Sequence, residues 1–148
     1  MTKNVLVSIT GTEFSDVMNI NEPLEVVTTG TYYKKNGKNY LFYEEMMEGL
    51  NAPVKNTVKF DSDNFYLTRS GPINTSMIFE KNRRSVSTYG TPFGSLSIGI
   101  NAKEVDVRES KDEINVNVKY SLDANYEFVA NCSIILNIKS LGKNKNEE

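Results

Sequence analysis

Hydrophobic and polar residues alternate along much of this chain, and the pattern is clearest in its C-terminal part. One run has apolar residues at every second position: Ile114, Val116, Val118 and Tyr120. A second run has the same period: Tyr126, Phe128, Ala130, Cys132, Ile134, Leu136 and Ile138. Because successive side chains of a β-strand point to opposite faces, each run puts its apolar side chains on one face. The turn residues Asp123-Ala124-Asn125 lie between the runs, so the pattern predicts a long antiparallel hairpin.

The same pattern predicts further strands upstream, separated by turn-forming residues. They span residues 5–10, 24–35, 40–43, 54–60, 65–70, 74–81, 86–89 and 96–100, and Val105 and Val107 extend the last of these beyond a bulge. Asn36-Gly37 is the strongest hairpin signal, because both residues tolerate the positive φ of a type I′ turn. About ten strands joined by short connections predict sequential antiparallel pairing.

So many antiparallel strands favour closure of the sheet, because open edges invite aggregation. The predicted fold is all-β, an antiparallel up-and-down barrel of about eight to ten strands. Residues 44–50 favour helix, so this segment is either one short helix at a barrel mouth or a strand end with a loop. Residues 1–141 are predicted to form a single barrel domain. Residues 142–148 are predicted to be a frayed polar tail.

Composition narrows the class of protein and its compartment. The chain has 148 residues, the usual size of one domain, and 39% of them are apolar. Its single cysteine, Cys132, excludes an intramolecular disulfide. The N-terminal residues do not read as a signal peptide, and no apolar run approaches the roughly 20 residues that a membrane-spanning helix needs. We therefore expect a cytoplasmic protein.

The charge balance bears on possible partners. Seventeen Lys and Arg residues against 19 Asp and Glu residues give a formal charge of −2, which suits neither a nucleic-acid backbone nor an anionic membrane. Lys81, Arg83 and Arg84 cluster at one predicted hairpin tip. They could contact RNA or form a solvated turn, and the acidic total favours the turn. We expect neither a nucleic-acid nor a membrane partner.

Three stretches resemble the YwiB-like family, a bacterial family of unknown function. They are YYKKNGKNYLFYEE at 32–45, RSGPINTSMIFE at 69–80 and YGTPFGSL at 89–96. The resemblance extends from Val5 to about Ile138. It implies a calycin-type, lipocalin-like barrel in a cytoplasmic protein, and it implies no reaction. Calycin barrels as a group mostly bind small apolar molecules in the lumen, which is an analogy at the level of the fold.

Candidate chemistry is sparse, and we expect neither an enzyme nor a cofactor or metal. The chain has no histidine, the commonest general base and metal ligand. Cys132 lies in an alternating apolar run, which favours a buried, inert thiol over a nucleophile. Asp61-Ser62-Asp63-Asn64 has the spacing of half a calcium loop but lacks its glycine and distant glutamate, so an ordinary polar turn is favoured. Carboxylate catalysis by Glu44, Glu45 or Glu48 is a weaker alternative.

Arg69 is the most informative polar position. It shares one strand face with Phe65 and Leu67, so it faces the lumen if they do. An interior guanidinium can receive a carboxylate or phosphate through a planar fork of donors. The predicted ligand-binding residues are Arg69, Tyr43, Ser76, Tyr89 and Glu44. The structural alternative is that Arg69 pairs with Glu44 or Glu80 and plugs a barrel end.

Two functional hypotheses follow. The first is a non-catalytic protein that binds a small amphipathic or anionic molecule in an apolar lumen, which a barrel filled by side chains would argue against. The second is a structural or protein-interaction module with a fully packed barrel, whose interior is simply core and whose partner is another protein or a second copy in a homodimer. Its candidate surfaces are Tyr32, Tyr33 and Tyr40 around the Asn36-Gly37 hairpin, and the Pro92-Phe93 bend.

Overall fold

The computed structural model describes residues 2–11, 24–46, 49–72, 74–91 and 94–141. These residues form ten strands and contain no helix. The strands are β1 (Thr2–Gly11), β2 (Leu24–Lys35), β3 (Lys38–Glu45), β4 (Val54–Phe60), β5 (Asn64–Ser70), β6 (Thr75–Glu80), β7 (Arg84–Thr91), β8 (Gly94–Glu109), β9 (Glu113–Ala124) and β10 (Glu127–Ser140). In the same part of the chain, no helix could span a bilayer.

All ten strands belong to one antiparallel sheet that curls into a nearly closed barrel. The strand order is β6-β5-β4-β3-β2-β1-β10-β9-β8-β7, so the sheet is a meander joined across β1 and β10. The predicted antiparallel barrel is confirmed, and β2 and β4 have the predicted bounds. β8 runs unbroken through Asn101, with the predicted irregularity between Ala102 and Glu104.

β6 and β7 are the two edges of this sheet, although they follow each other in the chain. Serine side chains of β7 connect them. The Ser85 hydroxyl donates to the Ile78 carbonyl at 2.5 Å, and the Ser87 hydroxyl donates to the Ser76 carbonyl at 2.9 Å. We call this contact between β6 and β7 the seam.

The alternation of apolar residues corresponds to the inner face of the barrel. Ile114, Val116, Val118 and Tyr120 are all buried, as predicted. For β10 the prediction is right from Cys132 onward but wrong at its start, because Tyr126 is 80% and Phe128 66% exposed. The register shifts between Phe128 and Ala130, and this irregularity separates the first residues from the inward-facing set.

The hairpin turns use residues with positive φ. Asn36 and Gly37 have φ of 54° and 76°, the conformation that the type I′ signal predicts. The β9–β10 turn lies slightly later than predicted, at Asn125 and Tyr126, with φ of 53° and 70°. A tyrosine rarely adopts this conformation, so neighbouring groups must stabilise it.

β2 lies close to both neighbouring strands at Gly30. A Cβ atom on this residue would lie 2.6 Å from the Phe42 carbonyl oxygen and 3.2 Å from side-chain atoms of Tyr43 and Val7. Only glycine allows this approach of β2 to β3.

Some sequence predictions fall partly or wholly outside the described residues. β3 continues through Glu45, so the first two residues of the proposed helical segment are strand. Met47 and Glu48 lie outside the described part, as do Pro92, Phe93 and the tail 142–148.

Candidate functional site

A polar group lies at one end of the inner face, where β3, β4 and β5 are paired. Tyr43, Asn56 and Arg69 are register partners across these strands. Arg69 Nε donates to Asn56 Oδ1 at 3.2 Å, and Arg69 Nη2 lies 3.9 Å from Glu45 Oε1. The Arg69 and Glu45 side chains are only 14% and 13% exposed. We call Tyr43, Glu45, Asn56 and Arg69 the polar end.

The polar end contains two of the five predicted site residues. Arg69 shares the inner face with buried Phe65 and Leu67, and Tyr43 is buried on the same face two strands away, across Asn56. Glu44 and Ser76 are exposed and lie on the outer face. Each of them is one residue away from an inward-facing neighbour, and a strand turns adjacent side chains to opposite faces.

Tyr89 belongs to β7, where its register partner is Leu96, and its side chain lies outside the described part. The ion pair of Arg69 involves Glu45, not the predicted Glu44 or Glu80. Asn56 also donates to Glu45 Oε1 at 3.3 Å, so the carboxylate contacts both neighbours. The arrangement compensates the guanidinium charge within the protein, and an anionic ligand would have to compete with Glu45 for it.

Aromatic rings pack against one another inside the barrel, next to the β4–β5 turn. The ring centroids of Phe60 and Phe65 are 6.2 Å apart, those of Phe65 and Phe79 are 5.8 Å apart, and those of Phe79 and Tyr120 are 4.8 Å apart. All four side chains are fully buried. We call these residues the aromatic column. It connects β4, β5 and β6 with β9 on the opposite wall.

A groove of about 770 Å³ lies against the first five strands. Its lining includes the outward-facing residues Thr29, Thr31, Phe42, Glu44, Lys55 and Thr57. Tyr43 and Asn56 of the polar end, which alternate with them along β3 and β4, also border the groove. Phe42 and Thr57 are register partners, and so are Glu44 and Lys55. We call this concavity the outer groove. It combines an exposed aromatic ring, threonine hydroxyls and one charge of each sign.

The outer face next to the groove carries stacked aromatic rings. Tyr33 stacks on Tyr40 with centroids 4.9 Å apart and on Phe42 at 5.8 Å. Lys59 lies 5.7 Å from the centroid of the Tyr40 ring. Tyr32 faces inward instead and donates to Asn39 Oδ1 at 2.5 Å. Burial, with a smaller effect of the Glu109 charge, raises the pKa of Tyr32 to about 12.

A second polar cluster was not predicted from the sequence. Arg84 donates to both carboxylate oxygens of Asp123, at 2.8 and 3.0 Å, and Asn101 donates to the same carboxylate at 2.8 Å. The Arg84 guanidinium lies 4.0 Å from the centroid of the Tyr126 ring. Gly99 makes room for this ion pair, because a Cβ there would lie 2.5 Å from both partners. The sequence signal that could have pointed to this cluster is Gly99, a glycine between the apolar residues Ile98 and Ile100 of β8.

The chemistry of the described residues provides no obvious reactive centre. Cys132 is buried, and burial raises the pKa of its thiol against the opposing effect of a hydrogen bond with Tyr120. In the described ranges, no three cysteine, aspartate or glutamate side chains are placed to hold a metal ion. Asp61 accepts the backbone N–H groups of Asp63 and Asn64 at 2.9 and 3.0 Å, an arrangement that stabilises the turn.

Comparison with known proteins finds similar barrels. A family model described as a domain of unknown function, DUF1934, matches residues 7–136. The uncharacterized beta-barrel protein YwiB of Bacillus subtilis (strain 168) is 30% identical over 116 residues, which cover 76% of this chain and 80% of that protein. The crystal structure of the ywiB protein from Bacillus subtilis matches with a TM-score of 0.74 at 19% identity, and covers 95% of this chain and 94% of that one.

Proposed function

We propose a binding function for this chain, which belongs to the DUF1934 family of uncharacterised β-barrel proteins. In this proposal it is a non-catalytic cytoplasmic protein that binds a small amphipathic molecule in the outer groove. The observation that carries the proposal is the groove of about 770 Å³ that joins an exposed aromatic ring to a neighbouring pair of opposite charges.

The packed aromatic column argues for a site on the outside of the barrel. A ligand in this part of the lumen would have to displace Phe60, Phe65, Phe79 or Tyr120, which are closely packed against one another. Moving large buried side chains costs the packing of their neighbours as well as their own. Arg69, the anchor expected for such a ligand, is already in contact with Asn56 and Glu45.

The groove has the size and the mixed chemistry of a small-molecule site. Ligand sites typically have volumes of about 300–1,000 Å³, with apolar surface and a few placed polar groups. Phe42 offers an apolar face for an acyl or aryl group. Lys55 and Glu44 stand beside each other and can bind a polar head group, while Thr29, Thr31 and Thr57 provide hydroxyls. An amphipathic molecule with an anionic head group would bind with that head group at Lys55.

Filling the groove tests the proposal. Thr57→Trp adds a large ring to the lining of the groove, and Thr10→Trp is the matched control on the outer face of β1. The probe is anilinonaphthalene sulfonate, an amphipathic anion whose fluorescence rises in apolar sites. We expect Thr57→Trp to weaken probe binding at least about tenfold, and Thr10→Trp to leave it unchanged.

Two further variants distinguish the groove from the polar end. Lys55→Ala should weaken binding of the anionic probe, whereas Arg69→Ala should leave the dissociation constant unchanged. Native mass spectrometry of each protein, purified without denaturation, should show less of any co-purified small molecule on Lys55→Ala. The amount on Arg69→Ala should match that on the unsubstituted protein. Binding that survives Thr57→Trp and disappears in Arg69→Ala would contradict binding in the outer groove. It would indicate a site in the lumen instead.

A further inference from the structure

We infer that the outer groove recognises a planar aromatic ring that carries an anionic group, through stacking that an acyl chain of the same charge cannot make. The inference rests on the binding function proposed above, because it names the class of ligand for the same groove. Two observations carry it: a stack of aromatic rings reaches the groove at Phe42, and the exposed lysine Lys55 stands beside that ring.

Three rings on the outer face of β2 and β3 already stack on one another. The planes of Tyr33 and Tyr40 are inclined by 14°, and those of Tyr33 and Phe42 by 23°. Their centroids are 4.9 Å and 5.8 Å apart, distances that belong to the offset-stacked arrangement of aromatic pairs. Ring stacking is therefore the dominant apolar contact on this partly exposed surface.

Phe42 is the member of this stack that borders the groove. It belongs to the groove lining, whereas Tyr33 and Tyr40 do not. Tyr33 stacks against one side of the Phe42 ring, and Phe42 remains 36% exposed. A planar aromatic ligand lying on this exposed part would add a fourth ring to the stack. An acyl chain can cover Phe42 as well, but it gains only the burial of apolar surface.

The position of Lys55 fixes how far the anionic group stands from the ring. Thr57 is the register partner of Phe42, and Lys55 lies two residues before Thr57 on β4, on the same face of the sheet. Phe42 and Lys55 are therefore diagonal neighbours, which in antiparallel sheets are about 7–8 Å apart. A lysine side chain spans this distance. A compact ligand, with its charge attached directly to the ring system, can make both contacts.

Lys55 is available to a ligand, in contrast to the lysine at the other end of the stack. Lys59 lies 5.7 Å and 6.0 Å from the ring centroids of Tyr40 and Tyr66, so its ammonium group already contacts two rings. Lys55 makes no ion pair within the residues that the structure describes, although Glu44 is its register partner. Because the Glu44 carboxylate stands nearby, a singly charged head group is more favourable than a doubly charged one.

Two sulfonates with the same head group and the same number of carbon atoms test the inference. Naphthalene sulfonate offers a planar ring, and decane sulfonate offers a flexible chain; displacement of anilinonaphthalene sulfonate gives the dissociation constant of each. We expect Phe42→Leu, which keeps an apolar side chain but removes the ring, to weaken naphthalene sulfonate binding about fivefold. Decane sulfonate binding should change less than about twofold. Phe128→Leu, at an exposed ring on β10, is the control and should change neither.

A second measurement uses the unsubstituted protein and so does not depend on the folding of a variant. Protons of a ring that lies on Phe42 are shielded by its ring current, so the naphthalene resonances should shift upfield on binding. Equal weakening of both sulfonates by Phe42→Leu, or naphthalene resonances without an upfield shift, would overturn the recognition of an aromatic ring. The groove itself would then still be the site if Thr57→Trp weakens both probes. Binding of both probes that is insensitive to Thr57→Trp would overturn the groove and, with it, this inference.

Discussion

Asp123 makes the stability of this barrel depend on charge. Hydrogen bonds from Arg84 above all, and also from Asn101 and the Tyr126 backbone N–H, hold the pKa of its carboxyl far below the usual range. Its stabilising contribution is therefore complete above the unfolded-state pKa of about 4. The contribution is lost as the pH falls through the lower folded-state pKa.

Asp123→Asn tests this dependence. We expect the variant to have a lower free energy of unfolding than the unsubstituted protein at neutral pH, and the difference to shrink below about pH 4. Urea denaturation across this pH range measures both. Asp106→Asn, at an exposed pair with Arg108, is the control and should change little. A deficit for Asp123→Asn that is independent of pH would contradict the electrostatic explanation.

At the residue scale the sequence predicted that Arg69 shares a face with Phe65 and Leu67, but it did not predict its partner. Because Phe65 and Leu67 are buried inside the barrel, the guanidinium lies inside as well. The partner depends on the register between strands, which puts Glu45 and Asn56 on the inner face and leaves Glu44 outside. A shift of one residue decides between adjacent glutamates, and local pattern does not specify it.

At the scale of single elements, Gly30 determines how closely β2 approaches β3. The missing side chain leaves space for the Phe42 carbonyl, a backbone atom that cannot rotate away. Gly11 is a weaker case, because its Cβ would meet a side-chain atom of Ile134 at 3.3 Å.

We therefore expect Gly30→Ala to lower the free energy of unfolding by about 1–3 kcal/mol or more, since it forces backbone movement in a packed sheet. Gly11→Ala should cost less, because the Ile134 side chain can adjust. Chemical denaturation of both variants gives the comparison. Equal effects for the two would show that contact with the Phe42 carbonyl does not limit the packing of β2.

The β9–β10 turn shows why one element was only partly predictable. Alternation continues through Tyr126 and Phe128, and nothing local signals that these rings face solvent. Their exposure follows from the positive φ of Tyr126, the contact of its ring with Arg84 and its backbone bond to Asp123. Arg84 is 39 residues away from Asp123, so the cause is tertiary.

At the scale of the whole molecule, the aromatic column connects opposite walls. Phe79 is central to it, because its ring lies against both Phe65 and Tyr120. The sequence predicted the barrel, its strands and most inward faces, because these follow from alternation and turn residues. It left open whether the interior is hollow or packed, because ring packing depends on how strongly the sheet curls.

Phe79→Ala should lower the free energy of unfolding by about 3–5 kcal/mol, through lost burial and a remaining cavity. Phe128→Ala is the matched control, since this ring is 66% exposed, and it should change stability by less than about 0.5 kcal/mol. Thermal and urea denaturation measure both. A small effect at Phe79 would mean that the interior relaxes around the missing ring, and it would support an adaptable lumen.

The strand order divides the chain into two consecutive meanders, β1–β6 and β7–β10, that are joined mainly through the β1–β10 ladder. The covalent link between them, at Lys81 and Asn82, crosses the weakly connected seam. A polypeptide cleaved there should therefore stay assembled as two complementing fragments. Expressed separately, the two fragments should associate through the edges of β1 and β10 and restore the barrel. Such fragment pairs can be used as split reporters.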